Sequence, residues 1–289
     1  MSTHDKQQRE RPSTYFVQDR SNEEELKRLQ LQDRLVTADM GGVLPEQPDP
    51  TIFHRVLDIG CGTGDWLIET AKTYPSISLL MGVDISQRMV GYARAQAEER
   101  QVSDRVEFHV MDVLLMLEFP SGYFDLVNQR FAQGYLRTWD WPKLLQECLR
   151  VSRPGGVIRL TDVNFVTGSS SPALNRLHHL FLQALYQAGH YFTLEGNGLI
   201  TQLERLLRQH GVQNVQTRPC TLEYRAGTAG GQQYAEDMRL IFRTMVPFLR
   251  KWIRVPDDYE EIYQRAMSEM QEPDFVATWE LLTAWGTTP

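Results

Sequence analysis

An apolar run, Val56-Leu57-Asp58-Ile59, passes straight into three glycines at alternate positions, Gly60, Gly62 and Gly64. Few features constrain a fold more. A short run rich in leucine and β-branched residues reads as a strand buried on both faces, the kind found inside a parallel sheet. Glycines immediately after it allow positive φ, and they leave no Cβ between the main chain and a ligand. A helix expected from about Asp65 to Tyr74 aims its N-terminus at the same spot.

Spacing narrows the ligand. A dinucleotide fingerprint, Gly-x-Gly-x-x-Gly, places its third glycine where this chain has Asp65. A carboxylate at a helix N-terminus competes with a phosphate for the same positive end of the dipole. The pattern from Asp58 to Gly64 suits a ligand that brings an ammonium and a carboxylate in place of phosphates.

Further along, Leu79 to Asp84 reads as a second buried strand, and Ser86 caps a helix running to about Arg100. Strands are expected at Val106 to Asp112, Phe124 to Asn128 and, after the turn Arg153-Pro154-Gly155-Gly156, Val157 to Val163, with a helix from Asp140 to about Val151. Strand and helix in alternation imply a parallel sheet with right-handed crossovers. The rhythm then changes to two long helical patterns, about 172–189 and 194–210, a sixth strand at 215–224, a helical stretch at 231–272 and a last strand near 276–286. Residues up to about Pro12 read as a disordered leader. Ser21-Asn22-Glu23-Glu24 reads as a capping box opening a helix whose buried stripe is Leu26, Leu29 and Val36.

Two strand-end acids have defined tasks if the ligand is a nucleoside. Asp84 can accept both ribose hydroxyls, and Asp112, in Val110-Met111-Asp112-Val113, can take the adenine amino hydrogens. Either alone is also a common turn cap.

Together, Asp58-x-Gly60-x-Gly62-x-Gly64, Asp84, Asp112 and the Arg153-Pro154-Gly155-Gly156 turn resemble the class I methyltransferases, which use S-adenosylmethionine. The resemblance is close over about 55–163. It implies an α/β, Rossmann-like sheet of seven mostly parallel strands in the order 3-2-1-4-5-7-6, with the last strand antiparallel. It further implies that Gly60, Cys61, Gly62 and Gly64 line the methionine part, that Asp58 orients the loop or meets the amino group, and that Asp84 holds the ribose. Ile85 packs on the adenine, Asp112 and Val113 meet its edge, and Asn128 completes the set. The chain then divides into a leader and lid helix (1–50), a core (51–226 with 273–289) and a helical lid insertion (227–272).

Other features bound the function. A formal net charge of −7 over 289 residues argues against a nucleic-acid partner, which usually meets a basic face. Cys61, Cys148 and Cys220 lie in no metal or disulfide spacing and read as free thiols of a reducing, cytoplasmic compartment. There is no apolar run of the roughly 18 residues that a membrane span needs. Carboxylate spacing suggests no metal. The expected acceptor is a small, largely apolar metabolite of the kind common in secondary metabolism or in quinone and lipid biosynthesis, methylated at oxygen, nitrogen or carbon. His178 and His190 are candidate bases, and Tyr15, Arg130 and His179 candidate acceptor contacts, with Phe16, Trp139 and Tyr191 as possible apolar walls. The alternatives are a non-catalytic S-adenosylmethionine-binding scaffold and, from another class, a nicotinamide oxidoreductase. A homo-oligomer is compatible with either.

Overall fold

The computed structural model describes residues 14–17, 23–164, 168–194 and 198–289. The expected leader and the first half of the capping box, Ser21-Asn22, lie outside the described residues. After helix α1 (Glu23–Asp39) come β1 (Arg55–Ile59), α2 (Asp65–Thr73), β2 (Leu79–Asp84), α3 (Gln87–Glu99), β3 (Val106–Val110), β4 (Phe124–Arg130), α4 (Trp141–Val151) and β5 (Ser152–Asn164). The second half holds α5 (Pro172–Gln187), α6 (Leu203–Gln209), β6 (Gln213–Arg225), α7 (Ala229–Thr244), α8 (Val246–Trp252), α9 (Tyr259–Glu269) and β7 (Val276–Thr287). The strands hydrogen-bond in the order β3-β2-β1-β4-β5-β7-β6. β7 runs antiparallel to both β5 and β6, and the remaining pairs are parallel. The fold is the Rossmann-like sheet expected from the sequence.

The alternation lapses once, and one expected helix changes. The passage from β3 to β4 is a loop. Its main chain is satisfied from α4 instead: Glu147 accepts from the Leu117 amide at 2.8 Å, and Arg150 donates to the carbonyls of Leu117 and Phe119 at 2.9 and 2.8 Å. Of the long helix expected at 194–210, the described residues hold a single 3₁₀ turn, Ile200–Gln202, and the two-turn α6.

Packing follows from strand parity. Leu57 and Ile59 of β1 face a core with Val127, Ile158, Leu160 and the apolar side of α4, where Leu144, Leu145 and Cys148 are buried. Val56 faces the other way, with Leu80, Leu126, Phe108 and the inner sides of α2 and α3. On that second face the register aligns Asp58 with Asn128, and Asn128 with Arg159. Neighbours in register point to the same side of a sheet. Three polar side chains on adjacent strands therefore stand in one row inside an apolar layer. A third core joins α5, α7, α8 and α9 to the inner side of α1.

Candidate functional site

A cavity of about 230 Å³ opens beyond the carboxyl ends of β1, β2, β3 and β4. That is where open α/β sheets place their ligands. The loop after β1 takes left-handed backbone at all three glycines, with φ of +69°, +51° and +78° at Gly60, Gly62 and Gly64. Each glycine has its own reason. A Cβ on Gly60 would lie 2.6 Å from the Tyr135 hydroxyl, and one on Gly64 would lie 2.6 Å from the Phe108 ring, so these two permit close packing. A Cβ on Gly62 would meet no protein atom within 4 Å. Gly62 lines the cavity, so its bare main chain faces the open space.

Asp84 ties the loop to the next helix. One carboxylate oxygen accepts from the Gly62 amide at 3.0 Å and the other from the Ser86 amide at 2.8 Å. Asp112 accepts from the Leu114 amide at 2.9 Å, which holds the turn that carries Val113. Asp58 is buried and accepts from the Asn128 side chain at 2.7 Å. Burial pushes its pKa up to about 7, against the downward pull of the Asn128 bond and Arg159, with a further push from Asp84. Asp65 turns away from the cavity to Arg100, at 3.1 Å. What disfavours a phosphate here is therefore the trio Asp58, Asp84 and Asp112, all on one cavity wall.

The opposite wall comes from α1 and the segment before it. Arg28 is buried, with two donors on the Glu25 carboxylate at 2.8 Å each and a third on Asp237 of α7 at 3.3 Å. Tyr15 donates to Glu25 at 2.5 Å and accepts from Arg28 at 3.1 Å. Arg130, at the end of β4, pairs with Asp33 and donates to Thr37 at 3.1 Å. Both guanidinium groups on this wall are thus already held by carboxylates. Beyond β4 the chain reverses through Phe131, which has φ of +56°, and brings Gln133 and Tyr135 over the cavity. Left-handed backbone at a phenylalanine is uncommon and costs energy.

Of the residues expected from sequence, Asp58, Gly60, Cys61, Gly62, Asp84, Ile85, Asp112 and Val113 line this cavity, as do Tyr15, Phe16 and Arg130. Gly64 and Asn128 stand behind it, the first packed on Phe108 and the second buried between Asp58 and Arg159. The candidate bases do not reach it. His178 is buried against Phe242 and His190 against Phe248, and burial lowers the pKa of each to about 4. His179 is exposed and bonded to Gln183. Trp139 is 61% exposed, and Tyr191 is buried with its hydroxyl on Gln133. Helices α7 to α9 contribute no residue to this cavity; α7 buttresses α1 through Asp237 and Thr244. Sequence reading missed Glu25, Arg28 and Gln32. They recur at helical spacing, but a polar stripe ordinarily marks the solvent face, and here it faces inward.

Residues 56–156 match the family described as a methyltransferase domain. Over that stretch the chain is similar to methyltransferase domains. The chain is 34% identical over 112 residues to a probable methyltransferase, ltbC, of Aspergillus luteorubrus, covering 37% of this chain and 39% of that one. It is 33% identical over 112 residues to a demethylmenaquinone methyltransferase of Lactococcus lactis, covering 39% of this chain and 43% of that one. The matched stretch thus spans about two fifths of the length of these relatives. Among solved structures, a phosphoethanolamine N-methyltransferase of Haemonchus contortus superposes with a TM-score of 0.56 at 19% identity, covering 96% of this chain and 61% of that one. That likeness concerns the fold, and it extends past residues 56–156 into the helical additions.

Proposed function

We propose that the cavity binds S-adenosylmethionine against the glycine loop and directs its methyl group to a small, neutral, largely apolar acceptor held against α1. The observation that carries this reading is the joint presence, on one wall, of the open Gly62 main chain and the carboxylates of Asp58, Asp84 and Asp112. The residues fit the group. Asp84 would accept the ribose hydroxyls, Asp112 the adenine amino group, and Asp58 the α-ammonium. When bound, the cofactor supplies a methyl group on a sulfonium, which departs by in-line displacement.

The protein's own part is alignment and exclusion of water. Tyr135, whose hydroxyl packs against Gly60, and Phe131 line the cavity from the β4 side. Thr14 and Phe16 tie the N-terminal segment across it, with the Phe16 amide donating to Gly134 at 3.2 Å. A neutral acceptor follows from the charges. An anionic acceptor would need a free guanidinium, and Arg28 and Arg130 are each held by a carboxylate. The name of the L. lactis relative, a demethylmenaquinone methyltransferase, agrees with an apolar acceptor.

The test is incubation of the protein with isotope-labelled S-adenosylmethionine and a fractionated metabolite extract, read by mass spectrometry. A labelled product in the neutral, organic-extractable fraction is expected. Label appearing only in anionic products would overturn the acceptor class, and S-adenosylmethionine binding without label transfer to any fraction would favour a scaffold.

A further inference from the structure

The polar row beneath the cavity continues past the sheet. Asp58 Oδ1 accepts from Asn128 Nδ2 at 2.7 Å, Asn128 Oδ1 accepts from Arg159 Nη1 at 2.8 Å, and Arg159 Nε donates to Glu46 at 2.8 Å. Asn128 is fully buried, and both side chains of the Arg159–Glu46 pair are within 1% of complete burial. Such a pair is weak support for stability, because desolvation of two charges offsets most of their attraction. Glu46 belongs to the segment between α1 and β1, which is also fixed by the Trp66 indole donating to the Val43 carbonyl at 3.1 Å. Asn128 has one orientation in this chain. Its NH₂ serves a carboxylate and its oxygen a guanidinium, so the amide carries polarity from one end of the row to the other.

We propose that Glu46, Arg159 and Asn128 act as a positioning relay that sets how readily Asp58 presents an ionised carboxylate to the amino group of the cofactor. The proposal rests on the S-adenosylmethionine reading of the cavity. Around Asp58 stand Asp84 at the end of β2, the Cys61 thiol in the loop, the Tyr135 hydroxyl above Gly60 and Arg159 on β5, with Arg130 and Glu46 beyond Arg159. Among the described residues Arg159 is the one cation that acts on Asp58, so its strength governs the balance. Glu46 tempers that strength. Although burial opposes its ionisation, the Arg159 guanidinium holds its pKa below the ordinary carboxylate range.

The sign of each substitution follows. Asn128→Asp keeps the shape, removes the donor to Asp58 and adds a negative charge beside it, so Asp58 ionises at higher pH. Glu46→Gln keeps the shape and leaves the Arg159 charge uncompensated, so Asp58 ionises at lower pH. Titration calorimetry with S-adenosylhomocysteine between pH 5.5 and 8.5 reads both. Wild-type affinity should fall up to about tenfold per pH unit below about 7, as one proton is displaced on binding. The midpoint should move up in Asn128→Asp and down in Glu46→Gln, and Asp58→Asn should flatten the profile. The relay is overturned if the two midpoints stay with wild type or move in the same direction. Should either variant fail to fold, the other still gives a signed shift. No S-adenosylhomocysteine binding by the wild type at any pH would sink the cofactor reading itself.

Discussion

The two walls of one cavity are built on different principles. The glycine-loop wall uses main-chain geometry: positive φ at three glycines, two amides held by Asp84, and acids placed by the ends of successive strands. The α1 wall uses paired side chains, Glu25 with Arg28 and Asp33 with Arg130, buttressed from behind by α7. The first wall presents net negative charge and bare backbone; the second presents charges already cancelled. In the proposed reading a ligand with cationic groups belongs at the first, and a neutral one at the second. The walls should therefore fail separately when altered.

The largest expected effect is on the α1 wall. Arg28→Met strands Glu25 and Asp237 in the interior, and unpairing a buried charge of this kind costs roughly 3–5 kcal/mol. Urea unfolding should register that loss, while the affinity of the still-folded fraction for S-adenosylhomocysteine stays within about twofold of wild type. A parallel collapse of affinity would break the separation of the walls.

A smaller effect lies in the buttress. Both ring nitrogens of His178 lack partners among the described residues, and burial lowers its pKa to about 4 from 6.5. Below pH 6.5 the unfolded chain takes up a proton that the folded one refuses, so the native state loses stability as pH falls toward 4. His178→Phe removes that penalty, and at pH 5 it should gain about 2 kcal/mol more than at pH 8. Asp58 runs the other way. Its folded pKa of about 7, against 3.8 ordinarily, makes the folded state the stronger proton binder between those values. Its contribution to stability therefore falls as pH rises from about 4 to 7, and Asp58→Asn should be most stabilising above pH 7. Thermal melts across pH check both slopes.

The smallest stability effect is at Gly62. Gly62→Ala meets no protein atom but must hold φ near +51°, which costs about 1–2 kcal/mol. Because the new methyl group points into the open side of the loop, binding should suffer more than folding, by tenfold or more. Equal small losses in both would mean that the ligand does not approach this glycine.

The same contrast explains what could be read from the chain. The glycine-loop wall was legible because each part is local: a strand, a glycine spacing, an acid at a strand end. Seven-strand order followed from those signals together with the resemblance they carry. The α1 wall was not legible. Glu25, Arg28 and Gln32 look like a solvent face until Asp237, 209 residues after Arg28, closes over them. The histidines misled for the related reason that burial is a tertiary property. Nothing local distinguishes His178, sealed against Phe242, from a histidine poised over a substrate. Arg159 likewise reads as an ordinary strand residue until the register places it beside Asn128.

The most direct test of the two-wall cavity is calorimetric titration of S-adenosylhomocysteine into the wild type and into Asp84→Ala. Asp84 accepts from the Gly62 and Ser86 amides, and in the proposed reading it would accept the ribose hydroxyls. Micromolar binding with one site per chain is expected for the wild type, with at least a hundredfold loss in the variant, or about 2.7 kcal/mol. Absence of binding by the wild type, or equal affinity in a folded Asp84→Ala, would contradict it.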